Sequence, residues 1–415
     1  MRILMPNHFP LQGSGSGIYT LNVALELCRA GHSVQVITPD HPTKEEASHT
    51  LPFELDTITF KPDDSDSHTI ASELDYNFPC FTTHPKSNTT FYELSDKQLA
   101  DYLAAWRQHL EAAIKNFKPD IIHAHHVWVT AALAKATGLP YVVSCHGTDL
   151  MGFKKSSRFR ELALKGAKNA SSVIAISKQV QAEAMQLYNL PKAKLPLIWN
   201  GFGADHFKII PEATKETVLK EFKIGAYDKP LLSFVGKFTD FKGIDTLLRA
   251  AAIYEKELPG VQTLLVGHGG LWDEMQTLIK ELNLQGVHCL GHQNQDKVAR
   301  IYNAADCSIV PSRVEPFGLV AIEALACGTP VIATKAGGLP DFINDSVGAL
   351  VPVDDHQVLA ETVVREIKNN SKETKGPFAN RYAFENFTWK QQVQKMIELY
   401  EEAIQNPCSN TTPDA

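Results

Sequence analysis

The sequence has no long apolar run and no paired cysteines. No stretch approaches the roughly 20 consecutive apolar residues of a membrane-spanning helix, and the opening run, broken by Pro6, is too short for a signal-peptide core. The seven cysteines are scattered without a Cys-x-x-Cys pair, which favours reduced intracellular thiols over a disulfide framework or a zinc site. We therefore expect a cytoplasmic protein in which any membrane contact is peripheral.

The sequence also lacks an excess of positive charge. Its formal net charge is -7, whereas affinity for a phosphate backbone needs a concentrated basic surface, so no nucleic-acid partner is expected. The one basic concentration runs from Lys154 to Lys168, where only Glu161 opposes it. A solvated helix face is the simplest explanation, and contact with an anionic acceptor or an acidic membrane surface is the alternative.

Short apolar runs alternate with amphipathic stretches through most of the chain. This pattern predicts an α/β fold of doubly wound parallel sheets, and 415 residues suit two domains. One helix is predicted to start at Ser95 as its N-cap. The predicted strands are residues 2–6, 33–38, 121–124, 141–144 and 172–176 in the first half, and 231–235, 262–266, 287–290, 307–310 and 331–334 in the second.

The predicted boundaries give a first domain at 1–205, a second at 206–385 and a C-terminal helix at 386–405. Residues 42–88 interrupt the first domain with an accumulation of Asp, Ser, Thr, Pro and His and a weaker periodicity. We interpret them as a long, mobile insertion that could form a lid.

Two loops of the second half follow predicted strands and carry chemistry suited to phosphate. Ligands of doubly wound sheets bind beyond the carboxyl ends of the strands. The loop after 231–235 contains Lys237 and Lys242 among glycines. The lysines supply positive charge, and the glycines allow the backbone to approach a phosphate closely. The turn after 262–266 contains Gly267 and Gly269, which permit the same approach, although a plain tight turn also explains them.

A third loop, after the strand at 307–310, is the richest. It presents Glu315, and a helix begins near Gly318, so the amides of Phe317, Gly318 and Leu319 are predicted to be free to bind a diphosphate. Glu315 is placed to meet sugar hydroxyls. Glu323 lies within the helix, where a buried carboxylate needs donors such as a ribose diol. The plainer alternative makes Glu315 a helix cap and Glu323 an ordinary helical residue.

The first half opens with a glycine-rich turn, Gly-Ser-Gly-Ser-Gly at 13–17. Gly15 and Gly17 are predicted to approach an anionic group of a donor substrate. Ser16 is assigned to the binding site of an acceptor substrate. A dinucleotide-binding fingerprint with Asp40 as its acidic residue is the competing interpretation. The glycine spacing and the distance to Asp40 disfavour it.

Histidines cluster after two first-half strands, at 123–126 and at His146. Metal binding is disfavoured because neighbours in a strand point to opposite faces and no known ligand spacing accompanies them. We predict that His125, His146, Asp149 and Asn200 line the acceptor site, with His146 also a catalytic candidate. A hydrogen-bonded structural histidine remains the alternative.

Together these motifs resemble the retaining GT-B glycosyltransferases of family 4, and the resemblance covers nearly the whole chain. It rests on Glu-Pro-Phe-Gly-Leu at 315–319 with a second Glu at 323, Lys-Gly-Ile at 242–244, Gly-x-Gly at 267–269, Asn-Gly at 200–201 and Phe-Thr-Trp at 387–389.

The resemblance implies two Rossmann-like domains facing across a cleft, with a C-terminal helix that crosses back to the first domain. It implies that Lys237 and Lys242 bind the donor diphosphate, that Glu315 meets the donor sugar and that Glu323 meets the ribose. Lys242 and Glu315 are thus the catalytic candidates beside His146. Lys237 stands where the family usually has Arg, so a point charge replaces a bidentate contact.

The implied reaction is transfer of a hexosyl group, with anomeric retention, from a nucleotide sugar to a hydroxyl acceptor. A UDP-sugar is favoured and a GDP-sugar is possible. No metal and no cofactor are expected beyond the nucleotide-sugar co-substrate. The alternatives are a nucleotide-sugar epimerase or a phosphorylase of the same architecture, and a non-catalytic binding protein suggested by Lys237.

Overall fold

The computed structural model describes residues 1–41, 51–63, 71–82 and 84–406. The chain forms two compact units, one of residues 1–199 with the chain from 392 onward, and one of residues 200–391. Within the described residues each unit contains one six-stranded sheet, and all pairings between neighbouring strands are parallel. The predicted α/β fold class is confirmed.

The sheet of the first unit has the strand order β3-β2-β1-β4-β5-β6. Its order reverses between β1 and β4, and this switch point is where doubly wound sheets open a crevice for ligands. The strands are β1 (Arg2–Pro6), β2 (Ser33–Asp40), β3 (Glu54–Thr59), β4 (Ile121–His125), β5 (Tyr141–Cys145) and β6 (Ser172–Ala175).

Seven helices surround this sheet in the described residues. Ser95 caps α2 as predicted, and a capping box with Gln98 completes that start. The last helix belongs to this unit from Gln392 onward, and its Tyr400 hydroxyl lies 2.7 Å from His123 Nδ1. The helices are α1 (Gly15–Arg29), α2 (Asp96–Asn116), α3 (Val129–Ala136), α4 (Thr148–Lys155), α5 (Arg160–Asn169), α6 (Lys178–Tyr188) and, at the end of the chain, α14 (Trp389–Gln405).

The predicted insertion at 42–88 lies partly outside the described residues, at 42–50, 64–70 and 83. Its described part contains the edge strand β3, which pairs with β2. Phe60, Phe78 and Phe81 are buried there. This part of the segment is therefore built into the core of the first unit, so the interpretation of 42–88 as an insertion is wrong for the part that the structure describes.

A charged histidine fastens β3 to helix α2. His109 Nδ1 lies 2.8 Å from Asp56 Oδ2, and Nε2 lies 2.9 Å from Glu73 Oε2. The hydrogen bond with Asp56 is the largest cause that raises the pKa of His109 to about 9, against opposing burial. His109 is therefore protonated at neutral pH and bridges two carboxylates.

The sheet of the second unit has the order β12-β11-β10-β7-β8-β9, with its switch point between β7 and β10. Leu232, Phe234, Ile309 and Ile332 of its strands pack into one buried core. The strands are β7 (Leu231–Val235), β8 (Gln262–Val266), β9 (Val287–Gly291), β10 (Cys307–Val310), β11 (Val331–Thr334) and β12 (Gly348–Val351).

The helices of the second unit pack against this sheet and against one another, and two strand-to-helix loops lie at its switch point. They are α7 (Lys215–Glu221), α8 (Ile244–Glu257), α9 (Trp272–Glu281), α10 (Gln295–Ala304), α11 (Leu319–Ala326), α12 (His356–Lys368) and α13 (Ser371–Asn386). Across both units, no helix in the described residues has the length and apolar character needed to cross a membrane.

Candidate functional site

Two loops meet at the switch point of the second unit, one after β7 and one after β10. Gly243 ends the first loop with φ +60, and a Cβ atom there would lie 2.2 Å from the carbonyl oxygen of Pro311. The Arg313 backbone N–H also donates to the Phe241 carbonyl at 2.8 Å. The loops therefore pack backbone against backbone, which requires glycine at 243.

This packing brings together two residues predicted from separate motifs. Lys242 Nζ lies 2.6 Å from Glu315 Oε2, with side chains 25% and 9% exposed. The Ser312 hydroxyl donates to the same carboxylate oxygen at 3.1 Å. The pair is a charge-assisted hydrogen bond in which the lysine retains an exposed face. An anion that reaches this lysine would also lie close to Glu315.

The backbone of Glu315 is held from a further loop. The Gly338 N–H donates to the Glu315 carbonyl at 3.0 Å. Gly337 has φ +58, and a Cβ atom there would lie 1.6 Å from that carbonyl oxygen. Any side chain at 337 would displace Glu315.

Helix α11 begins beside this pair with unpaired donors. Its N-cap, Gly318, has φ +110, and a Cβ atom there would lie 2.6 Å from Leu339 Cδ2. Within the described ranges the backbone N–H groups of Phe317, Gly318 and Leu319 donate no hydrogen bond. These amides and the helix dipole form a site suited to an anion, as the sequence predicts.

Glu323 lies one turn further along α11. Its side chain is partly exposed, yet burial raises its pKa to about 7. Among the described residues no hydrogen bond to its carboxylate is found. Such a carboxylate is costly in the free protein and is suited to accept hydrogen bonds from a bound diol.

The other donor-site candidates of this unit have more varied surroundings. Lys237 is exposed in the loop after β7. A Cβ atom at Gly267, which has φ +131, would lie 1.9 Å from the Gly236 carbonyl oxygen, and one at Gly269 would lie 2.5 Å from that of Phe238. Both glycines are therefore required by the packing of the β8 loop against the β7 loop, whatever they contact besides.

The glycine-rich turn of the first unit starts helix α1. Ser14 is the N-cap and accepts the Gly17 N–H at 3.0 Å. A Cβ atom at Gly17 would lie 2.0 Å from the Pro10 carbonyl oxygen, whereas Gly15 has open space around it. The Ser16 carbonyl accepts from Asn7 Nδ2 at 3.2 Å. Only Gly15 is thus without a packing requirement.

The histidines form one buried cluster at the carboxyl ends of β4 and β5. The rings of His123 and His125, two residues apart in one strand, stack at 4.6 Å, and His125 Nδ1 lies 3.2 Å from His146 Nε2. His126 and, from the loop after β1, His8 are also fully buried. Sequence reasoning missed His8, whose single position carries no pattern.

Burial keeps these imidazoles neutral. Desolvation lowers the pKa of His123 and of His146 to about 3. Each ring therefore offers one hydrogen-bond donor and one acceptor at neutral pH. In the part of the chain that the structure describes, no group of three or more His, Cys, Asp or Glu is arranged to hold a metal ion.

Asp149 and Asn200, the remaining acceptor-site candidates, are both buried. Asp149 accepts backbone N–H groups of Gly147 and Val127, each at 2.8 Å, and burial raises its pKa. It thus fixes the loops around His146 from inside. Asn200 Oδ1 has no hydrogen-bond partner among the described residues.

The basic stretch is largely engaged within the fold. Lys154 pairs with Glu183 at 2.5 Å and Arg158 with Asp96 at 2.6 Å, while Lys155 lies over the ring of Tyr92 at 4.1 Å. These contacts reduce the charge that this surface presents to an anionic partner.

Comparison with known proteins gives two family matches that together span most of the chain. Residues 13–206 match the model described as Glycosyltransferase Family 4, and residues 219–383 match Glycosyl transferases group 1. A D-inositol 3-phosphate glycosyltransferase of Salinispora arenicola is 31% identical over 317 residues, which cover 69% of each chain. The chain belongs to glycosyltransferase family 4. An uncharacterized glycosyltransferase of Methanocaldococcus jannaschii is 29% identical over 310 residues, covering 69% of this chain and 76% of the relative.

Solved structures place this family 4 glycosyltransferase in the GT-B fold. Sucrose-phosphate synthase from Thermosynechococcus elongatus matches with a TM-score of 0.75 at 24% identity, covering 98% of this chain and 99% of that one. Anabaena HepE in complex with UDP and glucose matches with a TM-score of 0.73 at 23% identity, covering 97% and 99%. The predicted family and GT-B fold are both confirmed.

One residue beside the Lys242–Glu315 pair was not predicted. Arg313 lies between Pro311 and Glu315, and its guanidinium contacts three carboxylates, two that flank the loop after β7 and one after β12. No short motif could reveal it because its partners are far apart in the sequence.

Proposed function

We propose that this glycosyltransferase transfers a hexosyl group, with retention, from a UDP-sugar to a hydroxyl acceptor, with a GDP-sugar as the second donor candidate. The observation that carries the proposal is the Lys242–Glu315 pair, joined at 2.6 Å beside the unpaired amides at the start of α11. A diphosphate needs positive charge and free N–H groups, and the sugar attached to it needs an acceptor for its hydroxyls. Both kinds of contact must therefore lie side by side.

The proposed roles follow from charge and burial. Lys242, Lys237 and the α11 amides would neutralise the departing diphosphate, and this stabilises the transition state more than the ground state because negative charge grows there. Glu315, with one oxygen shared between Lys242 and Ser312, would use its remaining capacity on donor-sugar hydroxyls. Glu323 would accept the ribose diol.

The cationic groups also support the proposal of a metal-independent reaction. Two lysines and a helix N-terminus supply positive charge where a divalent ion otherwise would. Retention would follow from departure of the diphosphate on the face from which the acceptor hydroxyl attacks, held in place by positioning. His146, neutral and 8% exposed, would exchange hydrogen bonds with a sugar hydroxyl.

The choice of donor and acceptor classes draws on the similar proteins. HepE is described in complex with UDP and glucose, which supports UDP as the first donor to test. Several relatives are named for inositol 3-phosphate, which makes that polyol the first member of a hydroxyl-acceptor panel.

The test is a turnover screen of the purified chain with UDP-glucose, UDP-N-acetylglucosamine, GDP-mannose and ADP-glucose against inositol 3-phosphate, free sugars and sugar phosphates. We expect one UDP-sugar to release UDP, with the product keeping the donor's anomeric configuration by proton NMR. EDTA is expected to leave the rate unchanged. Inversion, or activity lost to EDTA and restored by Mg²⁺, would contradict the retaining or metal-free part. UDP binding without turnover would favour a binding protein.

A further inference from the structure

Arg313 uses its whole guanidinium on neighbouring acceptors. Nε donates to Asp354 Oδ1 at 2.7 Å and Nη2 to Asp245 Oδ2 at 2.7 Å and Thr246 Oγ1 at 3.4 Å. Nη1 donates to Asp240 through its carbonyl at 2.8 Å and its Oδ1 at 3.0 Å. These five contacts match the five N–H donors of a planar fork, which a lysine cannot reproduce.

The partners bracket the lysine of the donor site. Asp240 lies two residues before Lys242, and Asp245 lies three residues after it, in the first turn of α8. Arg313 itself lies two residues before Glu315. The guanidinium therefore fastens both flanks of the lysine-bearing loop to the segment that carries the glutamate.

Charge gives Arg313 a second effect at the same place. Burial alone would raise the pKa of Asp245, but the hydrogen bond and charge of Arg313 outweigh it and the pKa is lowered. Without the guanidinium, Asp240, Asp245 and Asp354 would leave uncompensated negative charge around a loop that is to receive a diphosphate. The arginine side chain is 20% exposed, and the Asp240, Asp245 and Asp354 side chains are 80%, 35% and 54% exposed, so water screens the charge of Asp245 least.

We propose that Arg313 is a positioning residue of the glycosyl transfer: it holds the Lys242 ammonium against the Glu315 carboxylate and cancels the acidic groups around them. All of its donors are engaged, so it acts through these two residues and does not contact the donor. The inference rests on the proposed roles of Lys242 and Glu315.

The test compares Arg313→Met and Arg313→Lys with a matched control, Arg300→Met. Arg300 lies in α10 of the same unit, is 28% exposed and pairs with one carboxylate, Glu221. UDP release from UDP-glucose gives kcat and KM, thermal unfolding gives stability, and a crystal structure of Arg313→Met gives the distance from Lys242 Nζ to Glu315 Oε2.

We expect Arg313→Met to lower kcat/KM about 100-fold, the order of loss that an ångström of misplacement causes. Arg313→Lys should be intermediate, millimolar guanidinium should restore part of the Arg313→Met activity, and Arg300→Met should stay within about twofold of wild type. In the crystal structure the Lys242–Glu315 distance should exceed about 4 Å, beyond hydrogen-bonding range.

An unchanged Lys242–Glu315 distance in folded Arg313→Met overturns the inference, as does an activity loss that Arg300→Met reproduces. Lys242→Ala in the same assay distinguishes a failure of the positioning role of Arg313 from a failure of the proposed function. If Lys242→Ala keeps wild-type turnover, or if wild type releases no nucleotide from any of the four donors of the turnover screen, the proposed function fails, and the crystallographic distance alone decides the positioning role.

Discussion

Replacing Glu323 by Gln is expected to stabilise the free enzyme while weakening donor binding. The carboxylate has a pKa of about 7 in the fold against 4.5 ordinarily, because burial disfavours its charge. Between these values the folded protein binds more protons than the unfolded chain, so the free energy of unfolding falls as pH rises through this interval and levels off above it. Glutamine, which carries no charge, removes this penalty.

The shift sets the magnitude of this effect. It corresponds to a ceiling of about 3 kcal/mol above pH 7, and because the side chain is partly exposed we expect a gain of about 2 kcal/mol at pH 8. At pH 5 the gain should be under about 1 kcal/mol, since the folded-state carboxyl of wild type is then protonated and uncharged, like the glutamine amide of the variant. UDP binding should weaken about tenfold, because hydrogen bonds to a charged acceptor are stronger than those to an amide.

The assay is urea unfolding of the full chain at pH 5 and pH 8, with UDP titrated by calorimetry. Glu361→Gln, an exposed carboxylate on α12, is the matched control for replacing a helical glutamate. A gain for Glu323→Gln that is equal at both pH values, or a loss at pH 8, would refute the argument that burial penalises this charge. Unchanged UDP affinity would refute the ribose role.

Three further predictions concern single residues. Lys242→Ala should lower kcat/KM for the donor about 100-fold and more than Lys237→Ala does, because Lys242 is held in the site while Lys237 is exposed; steady-state kinetics with equal or reversed effects would reject this ranking. His109→Gln should lower the free energy of unfolding by about 1 kcal/mol at pH 6 and by less at pH 10. The stabilising charge is fully present below pH 6.5 and is lost as pH rises through the folded-state pKa of about 9. A loss of stability in urea unfolding that does not shrink as pH rises would contradict this. Gly337→Ala should destabilise the protein by more than about 2 kcal/mol and abolish turnover, since its Cβ would lie 1.6 Å from a carbonyl oxygen. Gly270→Ala is the control, because a Cβ there meets nothing within 4 Å, and it should change neither the melting temperature nor turnover.

Most of the sheet was predictable because buried parallel strands are short apolar runs. Strands such as Leu231–Val235 and Cys307–Val310 stand out against amphipathic helices. The two missed strands lack that contrast. Glu54–Thr59 is a half-polar edge strand within a segment of biased composition, and Gly348–Val351 begins with glycine, which is depleted in strands.

The donor-site pair was predictable for a topological reason. Loops that follow the two strands at a switch point must approach each other, so a lysine in one and a glutamate in the other are expected to meet, and Lys242 and Glu315 do. The Arg313 contacts were not predictable, because Asp240, Asp245 and Asp354 converge on the guanidinium only in the folded chain. The stacking of His123 on His125 follows from the two-residue period of a strand, but its extent of burial depends on residues far away.

The donor site is tested most directly by a calorimetric titration of UDP, with GDP and ADP for comparison, into wild type and Lys242→Ala. We expect wild type to bind one diphosphate selectively and Lys242→Ala to bind it at least tenfold more weakly while remaining folded. No binding of any of the three nucleotides to folded wild type, or equal affinity in the two proteins, would contradict a donor site built on Lys242, Glu315 and the amides of α11.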